Sequence, residues 1–133
     1  MSRYLLDTNI ISDLVRNPQG NAARQIAKAG EDNVCTSIIV VAELRYGCAK
    51  SGSPRLLKAV EDVLGEIEVL PFESPADSKY GEIRAELETA GGSIGANDLL
   101  IAAHAHSLGA TVVTANVQEF ERVRGLKVEN WLA

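Results

Sequence analysis

The sequence predicts an α/β fold in three layers, with a short, mostly parallel central sheet between layers of helices. Two observations lead to this prediction. The strand-like segments are short continuous apolar runs, which are typical of strands buried on both faces of a parallel sheet. Segments with helical periodicity separate them, as the crossovers between parallel strands require. The 133 residues and 46% hydrophobic content suit a single domain over residues 1–133.

The N-terminal part of the chain predicts the order strand, helix, helix, strand. Residues 4–6 form an apolar run of the kind that becomes a buried strand. Residues 7–9 (Asp-Thr-Asn) carry side chains that cap a helix, here predicted over residues 10–15. A second helix is predicted over residues 22–29, before a second strand at residues 33–36.

The middle of the chain predicts two helices, a brief strand and a long helix. Ser37 is suited to cap a helix that we expect to end near Gly47, and Pro54 stands in the first turn of the next helix. Residues 68–70 predict a strand. Residues 75–90 predict a helix whose apolar side chains recur on one face.

The C-terminal part predicts a helix followed by the clearest strand of the chain. Residues 96–108 have helical periodicity up to Gly109, a residue typical of a helix end. Residues 110–113 (Ala-Thr-Val-Val) predict a buried strand, and Val128 is expected in an edge strand. In such folds functional groups lie at the carboxyl ends of the strands, so the residues that follow each strand are the first candidates.

Composition bears on both the compartment and the ligands. The net charge of −5 offers no general attraction for nucleic acid, so an RNA substrate would need a divalent metal ion and a local basic rim. No apolar stretch is long enough to span a bilayer, and the N-terminus lacks the features of a secretory signal. Cys35 and Cys48 form no CxxC pair and predict reduced thiols, which favours a cytoplasmic location.

Three acidic residues occupy positions that call for an explanation. Asp7 directly follows the first predicted strand, where its simplest role is to cap a helix. Glu43 lies in line with apolar residues of its helix, and Asp98 fills one position of an otherwise apolar stripe. Carboxylates that face inward are costly unless a cation accompanies them.

Two explanations remain open for Glu43 and Asp98. The first is a buried ion pair with an arginine, for which Arg45 and Arg84 are candidates. The second is a metal site, because oxygen ligands without a supporting cluster of His or Cys suit Mg²⁺ or Mn²⁺. The two histidines do not form a competing metal site, because they are two residues apart on a helix and point to different faces.

The sequence resembles the PIN-domain family and, within it, the VapC-type toxins, over essentially the whole chain. The resemblance rests on the order and spacing of several short motifs together. In chain order these are Leu5 to Asn9, Ser37 to Gly47, Ile94 to Asp98 with Ile101 to Ala105, Val113 to Asn116, Phe120 to Val123, and Glu129 to Trp131. The resemblance implies a PIN-like fold with helices on both sides of the sheet.

The resemblance also implies roles for individual residues. Asp7, Glu43 and Asp98 match the acids that bind the metal ion, Mg²⁺ or Mn²⁺, and carry catalysis in the family. Thr8 and Thr114 match groups that hold the first acid and the waters of the metal.

Departures from the family pattern concern the last motif. Asn116 stands where many members have a fourth acid, so the number of metal ions stays open, and it could also cap the short helix that follows. Glu119 and Glu121 lie nearby, and one of them could substitute for the missing acid, although we expect both to face solvent. The basic rim of the site, which would guide the phosphates of RNA, is expected to consist of residues on or after the helix of Glu43. These residues are Arg45, Lys50, Arg55 and Lys58.

Taken as a whole, the resemblance implies that the chain is the toxin endoribonuclease of a type II toxin–antitoxin system. Such an enzyme hydrolyses phosphodiester bonds of RNA, including structured RNA such as tRNA. It also implies a VapB-like antitoxin that places a cation in the acidic pocket. A homodimer is expected as well, and Leu56 and Val60 could serve either its interface or the core.

Other readings of the sequence are weaker. A phosphatase of the haloacid-dehalogenase type needs a second Asp two residues after Asp7, where Asn9 stands, and a receiver domain needs an acidic pair near the first strand. No glycine-rich phosphate loop follows that strand. The alternative from another class is a PIN-like module that binds RNA or protein without cutting it.

Overall fold

The computed structural model describes residues 3–133, and its sheet is built from five short strands. They are β1 Tyr4–Leu6, β2 Val34–Ser37, β3 Glu68–Leu70, β4 Thr111–Val113 and β5 Val128–Glu129. Their spatial order is β3-β2-β1-β4-β5, and every neighbouring pair is parallel. The prediction of a three-layer fold with a mostly parallel sheet is therefore confirmed, and the expected edge strand at Val128 lies at an edge of the sheet.

Seven α-helices connect and cover these strands. They are α1 Thr8–Arg16, α2 Asn21–Ala29, α3 Ile38–Ser51, α4 Pro54–Leu64, α5 Ala76–Ala90, α6 Ala96–Leu108 and α7 Val117–Phe120, and a single 3₁₀ turn covers Glu31–Asn33. Helices α1 and α3 each contact α4, whereas α5 packs mainly on α6. The predicted helices all form, with boundaries that differ by a few residues.

The core lies on both sides of the two central strands. Leu5 and Leu6 of β1, and Val112 and Val113 of β4, have no accessible surface. Both strands are continuous apolar runs, as expected of a sheet that helices cover on both faces. Phe120 is also fully buried, which fixes the short helix α7 against the end of the sheet.

Helix α3 is longer than the sequence suggested. We expected it to end near Gly47, but it continues to Ser51 and ends at Gly52, whose φ of 67° is the left-handed value of a helix cap. A glycine inside a helix costs only about 1 kcal/mol relative to alanine, which does not stop a well-packed helix. The apolar stripe expected around Glu43 is also incomplete, because Tyr46 is 67% exposed.

Two smaller findings concern side chains of the core, and a third concerns membrane-spanning helices. Val60 is buried in the core, and Leu56 packs partly against it, so core packing accounts for both residues. His104 is buried, with Nδ1 2.8 Å from the hydroxyl oxygen of Ser37, and its ring packs against that of Phe72. No helix within residues 3–133 combines the length and the apolar character needed to cross a bilayer.

Candidate active site

The candidate site forms where the carboxyl ends of β1 and β4 lie side by side. Leu6 pairs with Val113 in the parallel ladder, and the backbone N–H of Asp7 donates to the carbonyl of Val113 at 2.9 Å. Asp7 and Thr114 are therefore the first side chains beyond two adjacent central strands. In parallel sheets, ligands bind at this end, where the carboxyl ends of the strands lie.

Asp7 is held by hydrogen bonds on both carboxylate oxygens. Its Oδ1 accepts from the backbone N–H of Thr8 at 2.8 Å, which is the helix-capping contact expected from the sequence. Its Oδ2 accepts from the Thr114 hydroxyl at 2.8 Å. Asp7 is only 2% exposed and Thr114 has no accessible surface, so the position of this carboxylate is fixed by buried contacts.

Asn9 joins the two strand ends from the first turn of α1. Its side-chain oxygen accepts from the backbone N–H of Ala115 at 3.0 Å. Its amide nitrogen lies at the long distances of 3.4 Å from Asp7 Oδ2 and 3.5 Å from Thr114 Oγ1. Asn116 contributes its backbone N–H, which donates to Thr114 Oγ1 at 3.0 Å, and its side chain does not cap α7.

Glu43 reaches the site from the middle of α3 and is half-buried. Its Oε1 accepts from the hydroxyl of Thr8 at 2.6 Å, and its Oε2 accepts from the side-chain amide of Asn97 at 3.2 Å. Both donors are neutral, so the carboxylate is oriented and its charge is not compensated. Asn97, which the sequence analysis did not single out, neighbours Asp98 in the first turn of α6.

Glu119 is the site residue for which the sequence expectation was wrong. We expected it to face solvent, but it is half-buried and its Oε1 accepts from the backbone N–H of Gly95 at 2.7 Å. It also lies beside the carboxyl group of Asp98, and the two groups shift each other's pKa. The spacing Asn116-Val117-Gln118-Glu119 was the available signal, because an acid three residues after a helix cap points back toward the helix start.

The carboxyl groups of this site perturb one another's pKa. Burial, followed by the hydrogen bond to Glu119 and the charges of Asp7, Glu119 and Glu43, raises the pKa of Asp98 to about 7. Burial is also the main cause that raises the pKa of Asp7, and the charge of Glu43 adds to it. The pKa of Glu119 is lowered, chiefly by the N–H of Gly95. Of these two neighbours, Asp98 therefore holds a proton more readily than Glu119 does.

No basic side chain between Arg3 and Ala133 forms an ion pair with these acids, although the charge of Arg122 contributes to the lowered pKa of Glu119. The two arginines considered as ion-pair partners are used elsewhere: Arg45 binds Glu61 at 2.8 Å, and Arg84 binds Glu88 at 3.1 Å. The other ion pairs of the described residues also leave out Asp7, Glu43, Asp98 and Glu119. The explanation of the acids as buried ion pairs is therefore wrong.

The acids approach one another without forming a complete ligand cage. Within residues 3–133, no three side chains of His, Cys, Asp or Glu are close enough to hold a metal ion together. The hydrogen bonds offer a reason, since Thr8 and Asn97 hold Glu43 while Gly95 holds Glu119. Like charges without a cation between them also repel.

A groove of about 360 Å³ begins at Glu43 and runs along the surface between α1, α3 and α4. Thr8 and Glu43 line its inner end, and Val15, Leu44 and Leu56 give it an apolar floor. Of the two arginines predicted for the rim, Arg45 is neutralised by Glu61, and Arg55 is exposed at the start of α4 without an ion-pair partner among the described residues.

We expect the metal-free protein to lose stability as the pH rises through the raised pKa of Asp98. An acid whose pKa is higher in the folded state binds more protons there, so its contribution is present below 3.8 and is lost as the pH rises toward about 7. Above 4.5, the ordinary glutamate value, Glu119 stays ionised and does not contribute. Thermal melts in chelator from about pH 5 to 8 measure this loss of stability. Asp98→Asn should make the dependence on pH flatter. An equally steep dependence in that variant would contradict its assignment to Asp98.

Comparisons with known proteins agree with this arrangement. The family model described as "PIN domain" matches residues 4–126. "Ribonuclease VapC2" of Haemophilus influenzae is 42% identical over 99% of this chain and all of the relative, and "tRNA(fMet)-specific endonuclease VapC" of Shigella flexneri is 39% identical over 98% and 99%. The crystal structure of DNA-bound VapBC from Salmonella typhimurium superposes with a TM-score of 0.91 at 38% identity, covering 98% of this chain and 99% of that one. The chain belongs to the PIN-domain family.

Proposed function

We propose that this chain is the toxin endoribonuclease of a type II toxin–antitoxin system and hydrolyses phosphodiester bonds of RNA. The observation that carries the proposal is the group of uncompensated carboxylates at the carboxyl ends of β1 and β4, on a chain similar throughout its length to VapC ribonucleases. One of these relatives is named a tRNA(fMet)-specific endonuclease, which supports structured RNA such as tRNA as the substrate class.

The donor set fits a hard divalent cation such as Mg²⁺ or Mn²⁺. It consists of carboxylate oxygens with an excess of negative charge, and Mg²⁺ prefers a few carboxylates while it keeps part of its water shell. Asp7 and Asp98 would hold the ion, with Glu43 and Glu119 beside them. When bound, such an ion supplies stabilisation of charge on the phosphate and eases the ionisation of water.

The surrounding residues prepare this chemistry by fixing the carboxylates. Thr114 and the N–H of Thr8 fix Asp7, whereas the Thr8 hydroxyl and Asn97 fix Glu43. Each oxygen of Glu43 accepts one hydrogen bond and so keeps a lone pair with which to orient an attacking water. Asp98 must give up its proton when a cation binds, because an ionised carboxylate is the ligand. At a Mg²⁺ concentration below saturation, the rate of cleavage should therefore increase as the pH rises through about 7.

A VapB-like antitoxin is the partner that we propose for the groove. The solved relatives from Salmonella typhimurium and Rickettsia felis are VapBC complexes bound to DNA. The groove has an apolar floor and ends at the acids, so an amphipathic segment could lie along it and place an arginine or lysine beside Glu43. Such a segment would block the substrate and neutralise the carboxylates together. Homodimerisation stays a prediction.

Cleavage of RNA by the purified chain tests the proposal directly. We expect discrete products from total tRNA in the presence of Mg²⁺, and no products when the metal is removed by chelation. Re-addition of Mg²⁺ or Mn²⁺ to the chelated sample should restore cleavage, and Ca²⁺ serves as a control ion of the same charge but different preferred geometry. If the chain binds tRNA without any metal-dependent product, the alternative of a non-cleaving PIN-like binding module is correct.

A further inference from the structure

Seven basic side chains carry no ion pair among the described residues, and two of them lie together. The sequence contains 13 lysines and arginines, of which six pair with carboxylates in the described part of the chain. Among the remaining basic residues, Arg16 and Arg24 line the same surface pocket. An acidic protein that binds RNA has to supply positive charge locally, so these two residues are the strongest candidates.

We propose that Arg16 and Arg24 bind the phosphate backbone of the RNA strand on one side of the bond that is cut. The proposal rests on the function proposed above and names a substrate-binding surface for it. Guanidinium groups suit this task because their planar donors match phosphate oxygens and stay charged at any physiological pH.

A polar stripe on α1 connects this pair to the catalytic acids. Thr8, Ser12 and Arg16 are four residues apart in succession, so they lie on one face of the helix. All three line the groove that also contains Glu43. With a rise of 1.5 Å per residue, the backbone of Arg16 is about 12 Å along the helix axis from that of Thr8, a span that a few nucleotides cover.

The surface pocket that Arg16 shares with Arg24 extends the groove beyond Arg16. It has a volume of about 610 Å³ and is lined mainly by neutral polar side chains besides the two arginines. Arg24 donates to the side-chain oxygen of Asn21 at 2.7 Å, which orients its guanidinium. The acid in this pocket, Asp13, accepts from Asn17 at 2.9 Å and forms no ion pair with either arginine within residues 3–133.

RNA suits this surface better than an acidic protein segment does. The proposed path of the RNA strand begins at the carboxylates, where a phosphodiester must lie during hydrolysis. Neighbouring phosphates of the same strand need positive charge at regular intervals. The floor of the groove, by contrast, is apolar at Val15, Leu44 and Leu56, which suits a protein segment at that place. The two arginines lie at and beyond its outer end.

The experiment measures Arg16→Gln, Arg24→Gln and the variant that carries both changes. Lys28→Gln is the control. Lys28 is an exposed cation on α2 that has no ion-pair partner among the described residues and does not line the pocket, so its loss changes the charge equally. Steady-state cleavage of total tRNA is measured at several salt concentrations. Direct binding of total tRNA by fluorescence anisotropy is measured in parallel, without cleavage.

The double variant should raise KM about tenfold with kcat nearly unchanged, because it removes two phosphate contacts. The slope of log(kcat/KM) against log[salt] should become shallower by about 0.7 for each arginine removed, whereas Lys28→Gln leaves it unchanged. The binding slope should change by the same amount. A loss of fold alone cannot change a slope in this selective way.

Two outcomes decide against the inference, and a third separates it from the proposed function. An unchanged KM and an unchanged salt slope in the double variant would overturn it while leaving the endoribonuclease proposal intact. Weaker binding of an acidic antitoxin peptide with unchanged tRNA binding would assign the surface to a protein partner. If the wild-type chain does not cleave RNA at all, the proposed function fails, and the salt slope of direct tRNA binding still decides the role of the arginines.

Discussion

Replacing Asp7 with asparagine is expected to lower the rate of RNA cleavage by about 10³-fold or more, because charge stabilisation by a metal ion contributes several kcal/mol. The same change should not lower the thermal stability of the metal-free protein. Asparagine keeps the shape of the side chain and can accept from the N–H of Thr8, and the Thr114 hydroxyl can turn to accept from its amide. It also removes a buried charge whose pKa burial has raised.

A loss of activity without a loss of stability separates catalysis from structure. Asp77→Asn makes the same chemical change at an exposed position in the first turn of α5, away from the strand ends, and should leave the cleavage rate unchanged. Cleavage of total tRNA with Mg²⁺ and thermal melts in chelator measure both properties. An Asp7→Asn protein that still cleaved RNA in a metal-dependent manner would remove Asp7 from the site.

Glu119→Gln is expected to lower the cleavage rate by about 10- to 100-fold, the range found for groups that orient metal ligands. Glutamine can still accept from the N–H of Gly95, but it no longer contributes a negative charge beside Asp98. The pKa of Asp98 should therefore fall, since the charge of Glu119 is one cause of its elevation. The pH at which cleavage reaches half its maximal rate would move down with it.

The neighbouring acid provides a matched control for this variant. Glu121 directly follows α7, is exposed and forms no ion pair among residues 3–133, so Glu121→Gln should leave both the rate and the pH profile unchanged. Rates from about pH 6 to 9 for both variants make the comparison. If Glu119→Gln matched wild type across that range, Glu119 would be a structural residue only.

Local patterns were sufficient to predict most of the fold. The runs at β1 and β4 stand out because strands buried on both faces favour apolar side chains at successive positions. Asp7 and Asp98 were found for the related reason that a carboxylate interrupts such a run or stripe. The end of α3 was misplaced because a glycine signals a helix end only when its conformation is left-handed, which Gly47 alone does not reveal.

The parts of the site that escaped prediction depend on contacts between distant segments. Asn97 meets Glu43 across 54 residues of sequence, and Glu119 meets Gly95 across 24. No periodicity within α6 or α7 encodes these distances, because they result from how the helices pack around the end of the sheet. The inward position of Glu119 was within reach only through the spacing from Asn116, a weak signal beside the general preference of glutamate for solvent.

Strand β1 is only three residues long, and Asp7 is fixed by its register against β4. A single residue inserted between Tyr4 and Leu6 would turn alternate side chains to the opposite face of the sheet and carry Asp7 away from Thr114. Reporter peptides or affinity handles therefore belong elsewhere, for example at the exposed Gly91 after α5. Engineering of this protein has freedom in its surface turns and almost none in its first strand.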